Sequence, residues 1–581
     1  MVTSVAEHYD VAIIGGGPGG ATTAAVLLKH NPDLRVAVFE REVFPRDHIG
    51  ESQLPPISAV LHEIGCWEKV ERAGFPVKIG ATFTWGKTTD PWIFEFLPVA
   101  NIPQEVERPG RYQGWRVQTA FQVDRSTYDK ILLDHAAELG AFVSQGCRIK
   151  AIHRAGDRVD AIETEDGRRV TARYFVDASG NAAILRKAMG IEVTVPTLLK
   201  NVAFWDYYTD PAWADEDDAK ATRIHIRSLP YGWIWCIRIG PTRFSVGMVC
   251  PAEYYKESGK TPEQMYDEAI ASDKDVVRIL SRATRRGEVE RTTDWSYVVD
   301  RTYGENWFLV GEVAGFADPI LSAGLTLTQT GARELAYTIL ELDRGRLDRP
   351  WLLHRYDEVQ RRRVIQHMRF AEYWYSANGI FENIRENCAR IAADAGLKLS
   401  PQQAFQWLAR GGLEDDFPGQ VGIGGYDLAA VKQLMQRFTG DKAKWQIAGK
   451  NVFKLNLANA EKTTYGRLEN GRIIPTPCYV RGTTRLPLMG VFADLVEALE
   501  QSSDIETITE YLRKNASLKM APEHIQVTIQ HALGCLEVMA LNYWVLCSTR
   551  KGRPALDVES PIEGAIMHTV AEGESITMPH G

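Results

Sequence analysis

Apolar and polar positions recur with different periods along this chain, and each change of period marks an element. Residues Asp10 to Ile14 form a β-branched apolar run ending in glycines, Ala21 to Lys29 carry apolar residues at helical spacing, and Val36 to Glu40 form a second short apolar run. Strand, helix and strand in that order predict a β-α-β unit of a parallel sheet. A helix is predicted over Ser126 to Leu139. The alternating apolar residues that follow, together with Tyr174 to Asp177, predict that the parallel sheet continues. From Asn201 to Val249 the alternating runs lengthen, as in Gly232 to Ile239 and Arg243 to Val249, which predicts an antiparallel sheet. Trp307 to Val310 returns to the first pattern before a helix from Leu325 to Leu342, so the first domain is discontinuous in sequence. Beyond Pro350 the spacing is mainly helical, over Trp351 to Met368 and Val491 to Leu541, on either side of the glycine-rich Gly411 to Gly425.

Length turns this pattern into several domains, because 581 residues exceed the roughly 250 to 300 that one hydrophobic core can serve. The expected layout is a Rossmann-like α/β domain over residues 8–200 and 290–345, an antiparallel substrate-side insertion over 201–289, a helical C-terminal domain over 346–550, and a tail over 551–581 whose composition allows disorder. Charge narrows the partners. With 67 basic against 75 acidic residues, a net of -8, no overall positive field draws in a nucleic-acid backbone. The eight cysteines contain no C-x-x-C pair, which fits reduced thiols rather than a zinc site or a disulfide framework. No metal-ligand cluster stands out, and the acidic run Asp215 to Asp218 reads as a solvated loop. No stretch approaches the ~18 uncharged apolar residues of a membrane span, and no basic leader precedes the strand at Tyr9, so a cytoplasmic location is expected.

Gly15, Gly17 and Gly20 make G-x-G-x-x-G between the first strand and its helix, and Glu40 ends the next strand. Glycines there let a pyrophosphate approach the helix N-terminus, whose N–H groups and dipole favour its charge, while the acidic residue reaches a ribose hydroxyl. A dinucleotide site is expected. The fingerprint alone leaves NAD and FAD open.

Later segments narrow the choice. Arg125 in QVDRSTYDKIL, DASG at Asp177 to Gly180, and GEVAGFADPILSAG from Gly311 resemble the FAD-binding segments of glutathione-reductase-like flavoprotein monooxygenases. FPRDHIGES (Phe44 to Ser52), Lys78 in VKIGATFTWG, GWIWCIR (Gly232 to Arg238) and DWSY (Asp294 to Tyr297) then resemble the flavin-dependent halogenases, in the branch acting on phenolic, pyrrolic or acyl substrates. Two departures stand out. Arg238 replaces the proline that ends the W-x-W-x-I-P signature, and Glu312 stands where Asp is usual.

The resemblance implies FAD held by Gly15, Gly17, Gly20, Glu40, Arg41, Ser52, Arg125, Gly311 and Glu312. It implies chloride or bromide on the backbone N–H groups of Ala323 and Gly324, and FADH2 supplied by a separate flavin reductase. Lys78 then receives the hypohalous acid, by hydrogen bonding as an ammonium or as a haloamine through its neutral amine. Trp233 and Trp235 alternate on one strand and therefore share a face, where two indoles could wall flavin from substrate or simply fill a core. Tryptophan-type halogenases carry a glutamate where this chain has Leu321, which points to an easily halogenated phenol or pyrrole or an acidified acyl carbon. The expected activity is halogenation in specialised, antibiotic-type metabolism, on a small substrate that is free or held on an acyl- or peptidyl-carrier protein. The alternatives are a flavin hydroxylase or prenyl reductase on the same fold, and a non-catalytic flavoprotein scaffold.

Overall fold

The computed structural model describes residues 7–85, 91–96, 102–103, 106–197, 199–211, 221–293, 296–376, 445–482, 484–519 and 522–557. Asp294 and Trp295, the Asp215 to Asp218 run, Gly411 to Gly425 and most of the tail lie outside them. The chain divides into two compact units, one of residues 1–93, 98–384 and 468–473, the other of 94–97, 385–467 and 474–581.

A seven-stranded sheet organises the first unit. Strand Glu7–Ile14 lies between Val36–Phe39 and Arg169–Asp177, parallel to both, and Phe142–Ser144 and Trp307–Leu309 extend the parallel set on either side. At the centre of the sheet Val11–Ile14, Val36–Phe39 and Trp307–Leu309 are buried on both faces, which is why they read as continuous apolar runs rather than as an alternation. The helix Pro18–His30 is buried along all but its last two residues. Its Gly, Ala, Thr and Leu composition suits that enclosure. One expectation is corrected here: after the Arg125–Glu138 helix the parallel set gains only Phe142–Ser144 before the chain turns antiparallel. Ile149–Ala155 and Arg158–Thr164 form an antiparallel hairpin about Gly156 and Asp157, with Gly156 at φ 59. A Gly-Asp turn between two alternating runs is a hairpin signal, and in R-A-G-D-R-V it outweighs the apolar alternation.

The second sheet of this unit runs in the order Thr284–Arg285, Asn201–Thr209, Arg243–Pro251, Gly232–Arg238, Ala221–Leu229, Val77–Thr84. Pro91–Glu95 follows Val77–Thr84, and the neighbours named pair antiparallel except that Ala221–Leu229 lies parallel to Val77–Thr84. The substrate-side sheet is therefore not confined to residues 201–289, because the strand that carries Lys78 comes from the N-terminal part of the chain. One face packs Phe204, Ile234, Val246 and Met248 against Met265 and Tyr266 of the helix Pro262–Ser272. The other face carries the site.

The second unit combines the helices Gly490–Gln501, Ile505–Lys519 and Pro522–Leu541 with short strands. Val452–Leu455 pairs with Val545–Ser548, and Arg472–Arg481 with Thr484–Pro487, all antiparallel. Phe453, Leu495, Ile508, Leu536 and Met539 are buried in its core. The region 346–550 is thus not purely helical, and its helix Arg349–Ser376 belongs to the first unit. The cysteines among the described residues are free thiols, no described helix is long and apolar enough to cross a membrane, and no described acidic, His or Cys cluster could hold a metal.

Candidate functional site

At the first site, Gly15 adopts φ +105, and a Cβ at Gly20 would lie 1.9 Å from the Gly15 carbonyl oxygen. Only glycine fits there. The Pro18–His30 helix begins at Gly17 with Pro18 in its first turn and no side-chain cap, so its first N–H groups stay open to an anion. The buried Glu40 carboxylate accepts from the Gly16 N–H at 2.6 Å and the Glu42 N–H at 2.9 Å, which fixes it beside the glycine loop. Arg125 is buried at the start of its helix, grips Asp129 at 2.7 and 2.9 Å, and donates to the carbonyls of Ile49 and Gly50. It thereby ties FPRDHIGES to the nucleotide domain. Gly311 has φ +69, and the Glu312 carboxylate lies beside Gly180 of DASG; burial raises its pKa, against the pull of Arg125.

This donor set fits a dinucleotide. Arg41 is the outlier, because its side chain is exposed and paired with Glu42. The sequence reading missed Arg46, whose guanidinium pairs with Asp129 at 3.0 Å and reaches 3.4 Å from the Cβ position of Gly17. A cation one residue beyond FPRDHIGES's proline was the available signal.

The second site is built by strand register. Trp235 lies opposite Ile226 on one side and Gly247 on the other, and residues opposite one another share a face, as do alternate residues along a strand. Trp233, Trp235, Ser245, Gly247 and Tyr207 therefore stand on one face, together with Ile226, Ile224 and Thr222. Thr222 is opposite Lys78, but the next pair is Arg223 with Gly80, so Ile79 is an extra residue. That bulge decides where the lysine points. In uninterrupted register Lys78 would face the helix-packed side; with Ile79 extra it shares the tryptophan face.

Lys78 is only 2% exposed, and burial pushes its pKa down to about 7. The two indoles are 5.9 Å apart and tilted by 52°. Trp233 Nε1 donates to Tyr375 Oη at 2.8 Å and Trp235 Nε1 to Ser245 Oγ at 3.1 Å. Trp235 lies across Gly247, where an added Cβ would meet the ring at 2.2 Å. Gly247→Ala should therefore displace Trp235 and cost about 1 to 3 kcal/mol of stability, as overpacked sites do; a thermal melt and the Trp fluorescence of the variant check this. Arg238, where the signature has proline, ends its strand with hydrogen bonds to the carbonyls of Gly240 and Pro241.

Glu51, which the sequence reading passed over inside FPRDHIGES, bonds to Ser245 and Tyr207. Burial pushes its carboxyl up to about 7, against those hydrogen bonds and the charges of Arg243 and Arg125. Ser52 is buried and pairs with Gln122 in an antiparallel bridge. Ala323 and Gly324 open the Ala323–Arg344 helix, whose N-cap residue Ser322 sits at φ 58 and gives no side-chain cap. Open N–H groups at the start of a 22-residue helix suit an anion. Asp318, just before them, accepts from Tyr375 at 3.1 Å, and Leu321 is buried.

The two shifted groups pull stability in opposite directions. Lys78 has a folded value near 7 against an ordinary 10.5, so the unfolded chain binds more protons between those values and stability rises with pH there. Lys78→Met should consequently raise the melting temperature more at about pH 6.5 than at about pH 10. Glu51 is held above its ordinary 4.5, so its contribution is lost as pH rises from 4.5 to about 7, and Glu51→Gln should stabilise above that window. Melting curves across pH test both signs.

The tryptophan halogenase family model matches residues 10–110 and 106–383. A 1H-pyrrole-2-carbonyl-[peptidyl-carrier protein] chlorinase of Pseudomonas fluorescens is 33% identical over 354 residues, covering 58% of this chain and 77% of the relative. A tryptophan 2-halogenase of Chondromyces crocatus is 30% identical over 348 residues, covering 58% and 62%. Among solved structures, the FAD-dependent chondrochloren halogenase CndH from a myxobacterium aligns with TM-score 0.58 and 28% identity over 69% of this chain and 92% of its own. The flavin-dependent halogenase CmlS aligns with TM-score 0.69 over 95% and 98% at 23% identity, a likeness of fold.

Proposed function

This chain belongs to the tryptophan halogenase family, and from that premise we propose that it is an FADH2-dependent halogenase in which Lys78 delivers chlorine or bromine to an electron-rich ring or an activated acyl carbon. The observation that carries this reading is the extra residue at Ile79, which aligns a buried lysine with Trp233 and Trp235. When bound, reduced FAD supplies, with O2, the oxidising power that turns halide into hypohalous acid. The remaining work falls to the chain.

Gly15, Gly17, Gly20 and Glu40 hold the dinucleotide, with Arg125, Ser52, Gly311 and Glu312 around it and Arg46 in place of Arg41 over the glycine loop. The N–H groups of Ala323 and Gly324 hold halide. Trp233 and Trp235 keep water and substrate from the cofactor side. Lys78, whose pKa burial lowers to about 7, can present a neutral amine to the halogen. Glu51 titrates in the same range and can give or take a proton at that face.

Leu321 in place of a carboxylate suits a pyrrole, a phenol or an acidified acyl carbon, which needs no strong base. The pyrrolyl-carrier-protein chlorinase among the relatives supports a substrate held on a carrier protein. With one dinucleotide fingerprint in the sequence, reduced flavin comes from a separate reductase. NADH oxidation and product formation should therefore appear only when a flavin reductase is added; rapid flavin-linked NADH oxidation by the purified chain alone would favour the hydroxylase reading.

A further inference from the structure

Beside Lys78 lies a buried polar group that none of the steps above uses. Residues 120–122 run antiparallel to the lysine strand, with Lys78 opposite Ala120 and the Gln122 N–H on the Pro76 carbonyl at 3.0 Å. Alternation places Gln122 on the same face as Ala120, and so as Lys78. Its Nε2 donates to Thr222 Oγ1 at 2.9 Å, and Thr222 is the residue directly opposite Lys78.

The Thr222 hydroxyl is itself directed at the Val77 carbonyl, 3.5 Å away, so it accepts from the amide rather than donating to it. That fixes which end of the amide is which. The carbonyl end, Oε1, has no hydrogen-bond partner among the described residues, although Gln122 is 0% exposed. Ser52 Oγ, on the neighbouring strand of the bridge, is likewise buried without a partner. A buried acceptor left unmet is unfavourable, so two on bridged residues call for a ligand or a trapped water.

We propose that Gln122 Oε1 accepts a hydrogen bond from a ring N–H or O–H of the substrate, and so selects pyrrole-like and phenol-like rings and orients them at Lys78. The inference rests on the halogenase reading and deepens it. A neutral amide oxygen repels halide and any ring substituent that only accepts, so the group it recognises must be a donor. A hydrogen bond from that donor leaves more electron density on the ring, which favours attack on an electrophilic halogen. It supplies polarisation where Leu321 offers no carboxylate. Gln122 is a positioning and specificity residue; Lys78 remains the group that meets the halogen.

The test compares pyrrole-2-carboxylate with its N-methyl derivative and phenol with anisole, each supplied free and, for the acids, as a carrier-protein thioester. The full-length protein is assayed with FAD, a flavin reductase and bromide. Wild type should prefer the donor-bearing ring by about a hundredfold or more in kcat/KM. Gln122→Met should bring that preference to within about tenfold by raising KM for the donor-bearing ring, and Gln122→Glu, which keeps an acceptor, should retain most of it. FAD affinity, read by fluorescence titration without turnover, should be unchanged in both variants. Weakened FAD binding with the preference intact would place the amide on the cofactor, and an unchanged preference in Gln122→Met would leave it holding only a water; either overturns the proposal. If wild type halogenates methylated rings as readily as their parents, this inference alone fails. If it halogenates no ring of either kind, the halogenase reading fails with it.

Discussion

Lys78→Met should lower specific halogenation by about a thousandfold or more, as loss of a reacting group does, while FAD binding and formation of free oxidant persist. The lysine stands on the sheet, apart from the glycine loop and the helix start that hold dinucleotide and halide. Its removal separates making hypohalous acid from using it. An added oxidant trap should therefore become halogenated in the variant at a rate close to that of flavin turnover, with the true substrate left untouched. Lys78→Arg should not rescue activity if the amine carries the halogen, because a guanidinium keeps its charge at neutral pH. Full activity in the arginine variant would leave hydrogen-bond activation and exclude the haloamine.

Trp233→Ala should be the costliest substitution for stability, at roughly 3 to 5 kcal/mol. The indole is 1% exposed, sits 5.9 Å from Trp235, and donates to Tyr375, which in turn donates to Asp318. Its loss opens the core of this face and breaks a buried hydrogen bond. The barrier role predicts more than instability. Trp233→Phe keeps most of the ring volume and loses only the N–H, so it should fold, bind FAD and leak more hydrogen peroxide per halogenated product. Unchanged coupling in a folded Trp233→Phe would assign the pair to packing alone. Chemical denaturation gives the first number and a peroxide assay the second.

The nucleotide half of this molecule was legible because local pattern and tertiary role coincide there. Gly15, Gly17, Gly20 and Glu40 are required by backbone geometry within one β-α-β unit, and the sequence spacing states that unit directly. Trp233 and Trp235 were legible as a shared face for the same reason. Lys78 was singled out by resemblance, but its direction depends on Ile79 being extra in a pairing with Thr222 and Arg223, residues far along the chain. No spacing announces that. Glu51 and Gln122 sat inside quoted segments, yet buried polar groups declare themselves only through what they touch or fail to touch. The strands Val452–Leu455 and Val545–Ser548 went unread because each is four residues long and flanks stronger helical spacing. In Ile149–Thr164 the alternation was read correctly as strand, and the Gly-Asp turn that makes it a hairpin was not.

The most direct test of the account is the mass of the product. Incubated with FAD, a flavin reductase, O2 and a pyrrolyl- or phenol-type substrate, the wild-type protein should replace one or more ring hydrogens by halogen. The bromide isotope doublet should appear in bromide, the chloride pattern in chloride, and neither with Lys78→Met. A product that gains oxygen instead, at a rate independent of halide and undiminished in Lys78→Met, would contradict it.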